Sequence, residues 1–206
     1  MEFQINNWLY FTWLSGDHVV EQHVHNVDIM NWIFQGHPIR ATSMGGREVR
    51  KGIERWGNIF DHFATEFVYP DGRGGEITVT STCRQIEACD QHVAEYAVGA
   101  KGRAKASGVI QGAHPWSFEG KAPNSQVQEH ADLLASIRAG KPMNEGRTVA
   151  ESTMACIIAR LSAYSGKTVT WDWAMNESKL DYTPAGYEMG PKPVDPVPVP
   201  GKTPLI

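Results

Sequence analysis

Gly16-Asp17-His18-Val19-Val20-Glu21-Gln22-His23-Val24-His25-Asn26-Val27-Asp28-Ile29-Met30-Asn31-Trp32 is the richest ionisable stretch of the chain and carries its first clear helix signal. Apolar Val20, Val24, Val27, Met30, Ile33 and Phe34 recur at three- and four-residue steps. That spacing predicts a helix over 20–34, stopped by Gly36 and Pro38. Glu21 and His25 are four residues apart and Asp28 is three further on, so a helix gathers them on one face. Such a face has three uses. Its carboxylates can orient an imidazole that gives or takes a proton near neutral pH. It can bind a divalent metal, through Glu21, His23 and His25 if the backbone there is still extended. Or it can be an internal hydrogen-bond network that pins the helix entrance.

Composition narrows the field around this stretch. The 206 residues are 41% apolar and 20% charged, the make-up of a soluble folded domain. A chain of this length buries roughly 70% of the surface its unfolded form exposes. Net charge is −4, with the basic residues scattered, which excludes the clustered cations that nucleic acid demands. Residues 1–15 carry Trp8, Tyr10 and Trp13 in place of an aliphatic run and have no basic start. They read as neither signal peptide nor membrane span, so the expected compartment is the cytoplasm, with no membrane partner. Cys83, Cys89 and Cys156 are too few for a disulfide framework and read as buried free thiols.

Downstream, 39–44 reads as a strand ended by Gly45-Gly46. Two β-rich runs, 63–69 and 76–83, flank Pro70-Asp71-Gly72-Arg73-Gly74-Gly75 and predict a hairpin. A second strand pair is expected over 93–98 and 104–110, turning at Gly99-Ala100-Lys101-Gly102. Helices follow over 127–139 and from a capping box, Thr148 with Glu151, through Tyr164 to Gly166. From Gly186 to Ile206 the chain is proline-rich and predicts an extended tail, either free or laid along a neighbouring subunit. The expected architecture is α+β: an open, mostly antiparallel sheet with helices on one face over 1–185, and the tail over 186–206.

Other polar candidates are spread along the strands. Arg47 follows two glycines, Asp61-His62 precedes a strand, and Arg84 with Gln85 ends one, all positions suited to lining a ligand cleft. The seven tryptophans include Trp8, Trp13 and Trp32, which are expected in the core. No Gly-x-Gly-x-x-Gly joins a strand to a helix, and no phosphate loop is present, so no nucleotide site is expected within this chain.

The blocks 15–32, Gly36 to Arg47, Gly57 to Phe63, Gln128 to Thr153 and the Val197 to Pro204 end together resemble the C-terminal domain of glucose-fructose oxidoreductase/inositol dehydrogenase-like (Gfo/Idh/MocA) proteins. The resemblance covers nearly the whole chain. It implies an open antiparallel sheet whose free face packs on another subunit, giving a homo-oligomer. It also implies a sugar or polyol substrate held between this domain and a Rossmann domain that binds NAD(P). In that family's motif an Asp stands four residues before the proton-transfer His and a second Asp three after it. By resemblance His25 is that His, Glu21 replaces the first Asp, and Asp28 matches the second. His23 replaces a residue that is often small. The Rossmann fold and the Glu-Lys-Pro lysine of the family do not occur in these residues.

Three readings follow. The first is a carbohydrate- or polyol-acting enzyme domain without its own cofactor site, in which His25 transfers protons with Glu21 and Asp28 while Arg47, Asp61, His62 and Arg84 hold substrate. The second is a stand-alone carbohydrate hydrolase or lyase using the same cluster, with or without a divalent metal. The third is a non-catalytic domain that oligomerises through its sheet.

Overall fold

The computed structural model describes Met1–Ile206. The chain divides into two compact units, one formed by Met1–Asp90 with Glu151–Ile206 and the other by Gln91–Ala150.

The first unit opens with short helices α1 (Glu2–Asn6), α2 (Thr12–Ser15) and α3 (His18–Glu21), then the longer α4 (Val24–Phe34). Strand β1 (Arg40–Gly46), helix α5 (Ile53–Trp56) and strands β2 (His62–Pro70) and β3 (Glu76–Arg84) follow. The long helix α7 (Gly146–Ser165) belongs to this unit from Glu151 onward, as do β8 (Val169–Thr170) and α8 (Trp171–Asn176). The sheet order is β3-β2-β1-β8 and every pairing is antiparallel. Alternation along β2 explains its orientation. Phe63, Thr65 and Phe67 are buried, whereas Ala64 and Glu66 are exposed. The buried face packs Phe63, Phe67 and Tyr69 with Ala155, Ile158, Ala159 and Val27 of the helices. The other face is open and mostly polar, carrying Thr42, Glu66, Thr80 and Thr82.

The second unit holds β4 (Tyr96–Gly99), β5 (Gly102–Lys105), β6 (Val109–Gly112), β7 (Trp116–Ser117) and α6 (Ser125–Arg138). Its strands pair in sequence order as an antiparallel meander. The expected strand over 104–110 is cut in two. Gly108, at φ 99°, turns the chain with its N–H on the Lys105 carbonyl at 3.0 Å, and β6 starts after it.

The predicted α+β class with open antiparallel sheets is the one observed, with two small sheets in place of one. The helix expected over 20–34 is broken. Asp17 caps α3, whose last turn closes with the His23 N–H on the His18 carbonyl at 3.0 Å, and α4 then begins at Val24. Likewise α7 starts at Gly146, ahead of the Thr148–Glu151 box. Residues 186–206 form no helix or strand. They are nonetheless tied to the first unit: Gly201 N–H bonds the Ser165 carbonyl at 2.9 Å, and Val197 and Leu205 rest on its core. No helix is long and apolar enough to cross a membrane.

Candidate functional site

Asp17 is the hub around which the polar residues of the first unit are organised. It is fully buried at φ 80°, directly after Gly16 at φ 74°. Its Oδ1 accepts from the His18 backbone N–H at 2.6 Å and faces His18 Nδ1 at 3.1 Å. Its Oδ2 accepts from Phe60 N–H at 2.8 Å and the Tyr164 hydroxyl at 2.5 Å. Burial, then the Asp17 charge, push the Tyr164 phenol well above its ordinary range, so it stays a donor. On its other side His18 Nε2 lies 3.5 Å from the Cys83 sulfur. Burial raises that thiol to about 12, so Cys83 is a thiol packing partner and no thiolate nucleophile.

Glu21 closes α3 next to this hub. One carboxylate oxygen, Oε1, is buried and has no hydrogen-bond partner. Burial raises the Glu21 pKa, helped by Asp17 and opposed by His18, a hydrogen bond from Gln85, and Arg50. The Gln85 bond has a fixed sense. Arg50 Nη2 donates to Gln85 Oε1 at 2.6 Å, and Arg50 Nη1 donates to the Phe60 carbonyl at 2.5 Å. A guanidinium only donates, so the Gln85 oxygen faces Arg50 and its NH₂ is left for Glu21.

The remaining residues of the predicted face are divided. His25 is exposed on α4. Asp28 Oδ1 accepts from Ser152 Oγ at 2.5 Å, and Asn31 Nδ2 also donates to that hydroxyl at 3.1 Å, which joins α4 to α7. His23 Nε2 is 2.6 Å from Ser81 Oγ and tethers the α3–α4 turn to β3. Glu21, His23 and His25 are therefore not one ligand set, and no group of three or more His, Cys, Asp or Glu side chains is placed to hold a metal ion. The helix break at Gln22–His23 separates them.

The residues expected to line a cleft have distinct surroundings. The Arg47 guanidinium is engaged by backbone carbonyls of Arg50, Gly57 and Gly52 and braces the 50–57 loop. Asp61 is fully buried and accepts from Glu48 and Val49 N–H at 2.7 Å each and from Arg50 N–H at 3.4 Å. It also meets His62 Nδ1 at 2.8 Å. His62 sits between Gly46 and Arg84 across the sheet, and Arg84 Nη2 donates to the Asp90 carbonyl at 3.0 Å. Trp32, expected in the core, is 70% exposed, and Trp8 is exposed as well. Trp13 is half-buried, its indole N–H on Gln4 Oε1 at 2.8 Å. Sequence reasoning gave Asp17 and His18 no role of their own. The signal was there in a Gly-Asp step immediately before a helix, where a carboxylate caps free N–H groups.

Every strand pair is antiparallel, so the strands form no βαβ crossover.

No protein-family model matches the chain, and no curated protein matches it by sequence. Solved structures do match in fold. An aldose-aldose oxidoreductase from Caulobacter crescentus, complexed with glycerol, superposes at TM-score 0.60 with 18% identity over 79% of this chain and 50% of that one. Myo-inositol 2-dehydrogenase from Lactobacillus plantarum gives 0.60 and 16% over 82% of this chain and 52% of its own. An enzyme of gentamicin A biosynthesis, in complex with NAD, gives 0.55 and 16% over 79% and 50%. The chain spans about half the length of the structures it matches. The chain thus shares its fold with these structures over about half of their length.

Proposed function

We propose that this chain is the sugar- or polyol-handling domain of an oxidoreductase of this fold, with Glu21 and His25 as its proton-transfer pair. The shared fold carries the reading, since the matched structures include an aldose oxidoreductase and an inositol dehydrogenase. The site supports it. Glu21 Oε1 is a buried acceptor without a donor, the state a ligand hydroxyl relieves. A carboxyl raised above its ordinary pKa by burial is suited to exchange protons closer to neutral pH. His25, four residues further along and exposed in the first turn of α4, is the second group assigned to the ligand. Asp28 acts at one remove, fixing α4 to α7. No hydride step is assigned to these residues.

Calorimetric titration of the full chain with myo-inositol, glycerol and aldoses tests this reading. Saturable binding of at least one of them, weakened about tenfold by Glu21→Gln and by His25→Ala, is the expected result. Binding equally strong in both variants overturns it.

Self-association forms part of the same reading. In the second unit every residue of β4, β6 and β7 is exposed, Val98 of β4 at 83%, and Val93 ahead of β4 is 84% exposed. Apolar surface of that extent marks an interface between subunits. Sedimentation at micromolar concentration should show a dimer or larger, and a strict monomer would contradict it.

A further inference from the structure

We propose that Asp61 and His62 form an acid–base dyad on the open face of the first sheet, a hydroxyl-binding position separate from Glu21 and His25. Period-two alternation puts His62 on the same face as exposed Ala64 and Glu66, opposite the face that meets the helices. The imidazole is held on two sides. Asp61 Oδ1 lies 2.8 Å from Nδ1. Beneath the ring is Gly46, where a Cβ would stand 3.2 Å from Cε1 and 3.4 Å from Nε2, so a glycine lets the ring lie down on β1.

The chemistry of Asp61 then fixes the tautomer. Its Oδ2 is occupied by the N–H groups of Glu48, Val49 and Arg50. Burial raises its pKa, but the bonds from His62 and those three amides outweigh it and hold the carboxyl below its ordinary value. An ionised carboxylate only accepts, so Nδ1 carries the proton and Nε2 presents a lone pair. The His62 side chain is 45% exposed. A neutral acceptor of this kind is matched by an O–H donor. Arg84 and Thr82, on the same face one strand over, add donors that suit a polyhydroxylated ligand. The ligand hydroxyl donates its hydrogen bond to Nε2, and the proton stays on the ligand oxygen in the bound state. No electrons are exchanged.

Two-bond proton–nitrogen correlation spectra of the histidine rings of the full chain decide the matter. They are recorded about two pH units above an ordinary histidine pKa, so that the rings are neutral. His62→Gln identifies the His62 signals among the eight histidines. The expected result is a protonated Nδ1 and a bare Nε2, with myo-inositol moving Nε2 and leaving Nδ1 nearly still. Asp61→Asn, whose side chain can also donate, is expected to mix the tautomers. Because Asp61 holds three backbone amides that variant risks unfolding, so Gly46→Ala, which lifts the ring, is the second probe and should reduce the response to myo-inositol severalfold. A proton on Nε2 in the wild type overturns the dyad. A bare Nε2 that ignores myo-inositol overturns the ligand assignment. The readout is the His62 ring itself, so failure of polyol contacts at Glu21 leaves it interpretable.

Discussion

Replacing Asp17 with alanine should be among the most damaging single changes in the chain. The side chain is fully buried and accepts from two backbone N–H groups, those of His18 and Phe60, and from the Tyr164 hydroxyl. Alanine leaves the two backbone N–H groups buried without an acceptor, at about 1–3 kcal/mol each, and leaves the Tyr164 hydroxyl only Thr12 Oγ1 at 3.3 Å, with the terms not fully additive. A loss of about 3–5 kcal/mol is the working figure. That is a large share of the roughly 5–15 kcal/mol that holds a domain folded. Part of the strain at φ 80° remains in the variant, so relief there offsets little. The assay is urea unfolding followed through the amide signals of β1 and β2. Asp17→Asn is the sharper probe. It keeps the shape but turns an NH₂ toward one set of donors, at about 2–3 kcal/mol. Tyr164→Phe removes only one donor and should cost less than either. If Asp17→Asn unfolds within about 0.5 kcal/mol of wild type, Asp17 is not the hub described here.

Further outcomes follow from the same geometry. Because the folded-state pKa of Glu21 lies above its unfolded value, folding is favoured on the acid side and loses stability as pH rises from about 4.5 through the folded pKa. Glu21→Gln should flatten that slope, and an unchanged profile of unfolding midpoint against pH would count against the buried carboxyl. The Cys83 thiol, pushed up to about 12, should alkylate with iodoacetamide at pH 8 far more slowly in the folded chain than in urea. Equal rates would refute its burial. Two glycines should separate cleanly in expression and melting tests. At Gly57 a Cβ would lie 1.7 Å from the Tyr10 carbonyl oxygen, so Gly57→Ala should fail to fold. Gly140, at φ 67° with nothing within 4 Å, should cost only about 1 kcal/mol as alanine.

The secondary elements of this chain are legible in the sequence where one local cause decides them. Alternation and the Pro-Gly-Asp cluster mark β2 and β3, and the Gly99–Gly102 turn marks β4 and β5. The helix expected over 20–34 is interrupted at a tertiary bond, which periodicity does not encode. His23 reaches Ser81, 58 residues away, and the helix breaks there. Trp32 fell outside the core for the opposite reason, as one position on a helix stripe that points outward. For the site, Glu21, Asp61 and His62 stand out as ionisable residues at element ends. Their partners Gln85 and Arg50 are set by long-range packing, which spacing does not encode. Arg47 looked free because nothing in a sequence shows that its own loop consumes its donors.

A crystal structure of the chain soaked in myo-inositol tests the central claim most directly. The account predicts a ring hydroxyl within hydrogen-bond reach of Glu21 Oε1, the buried oxygen that lacks a protein donor, with His25 in contact with the same molecule. A ligand bound elsewhere while Glu21 Oε1 takes its donor from the protein would contradict it.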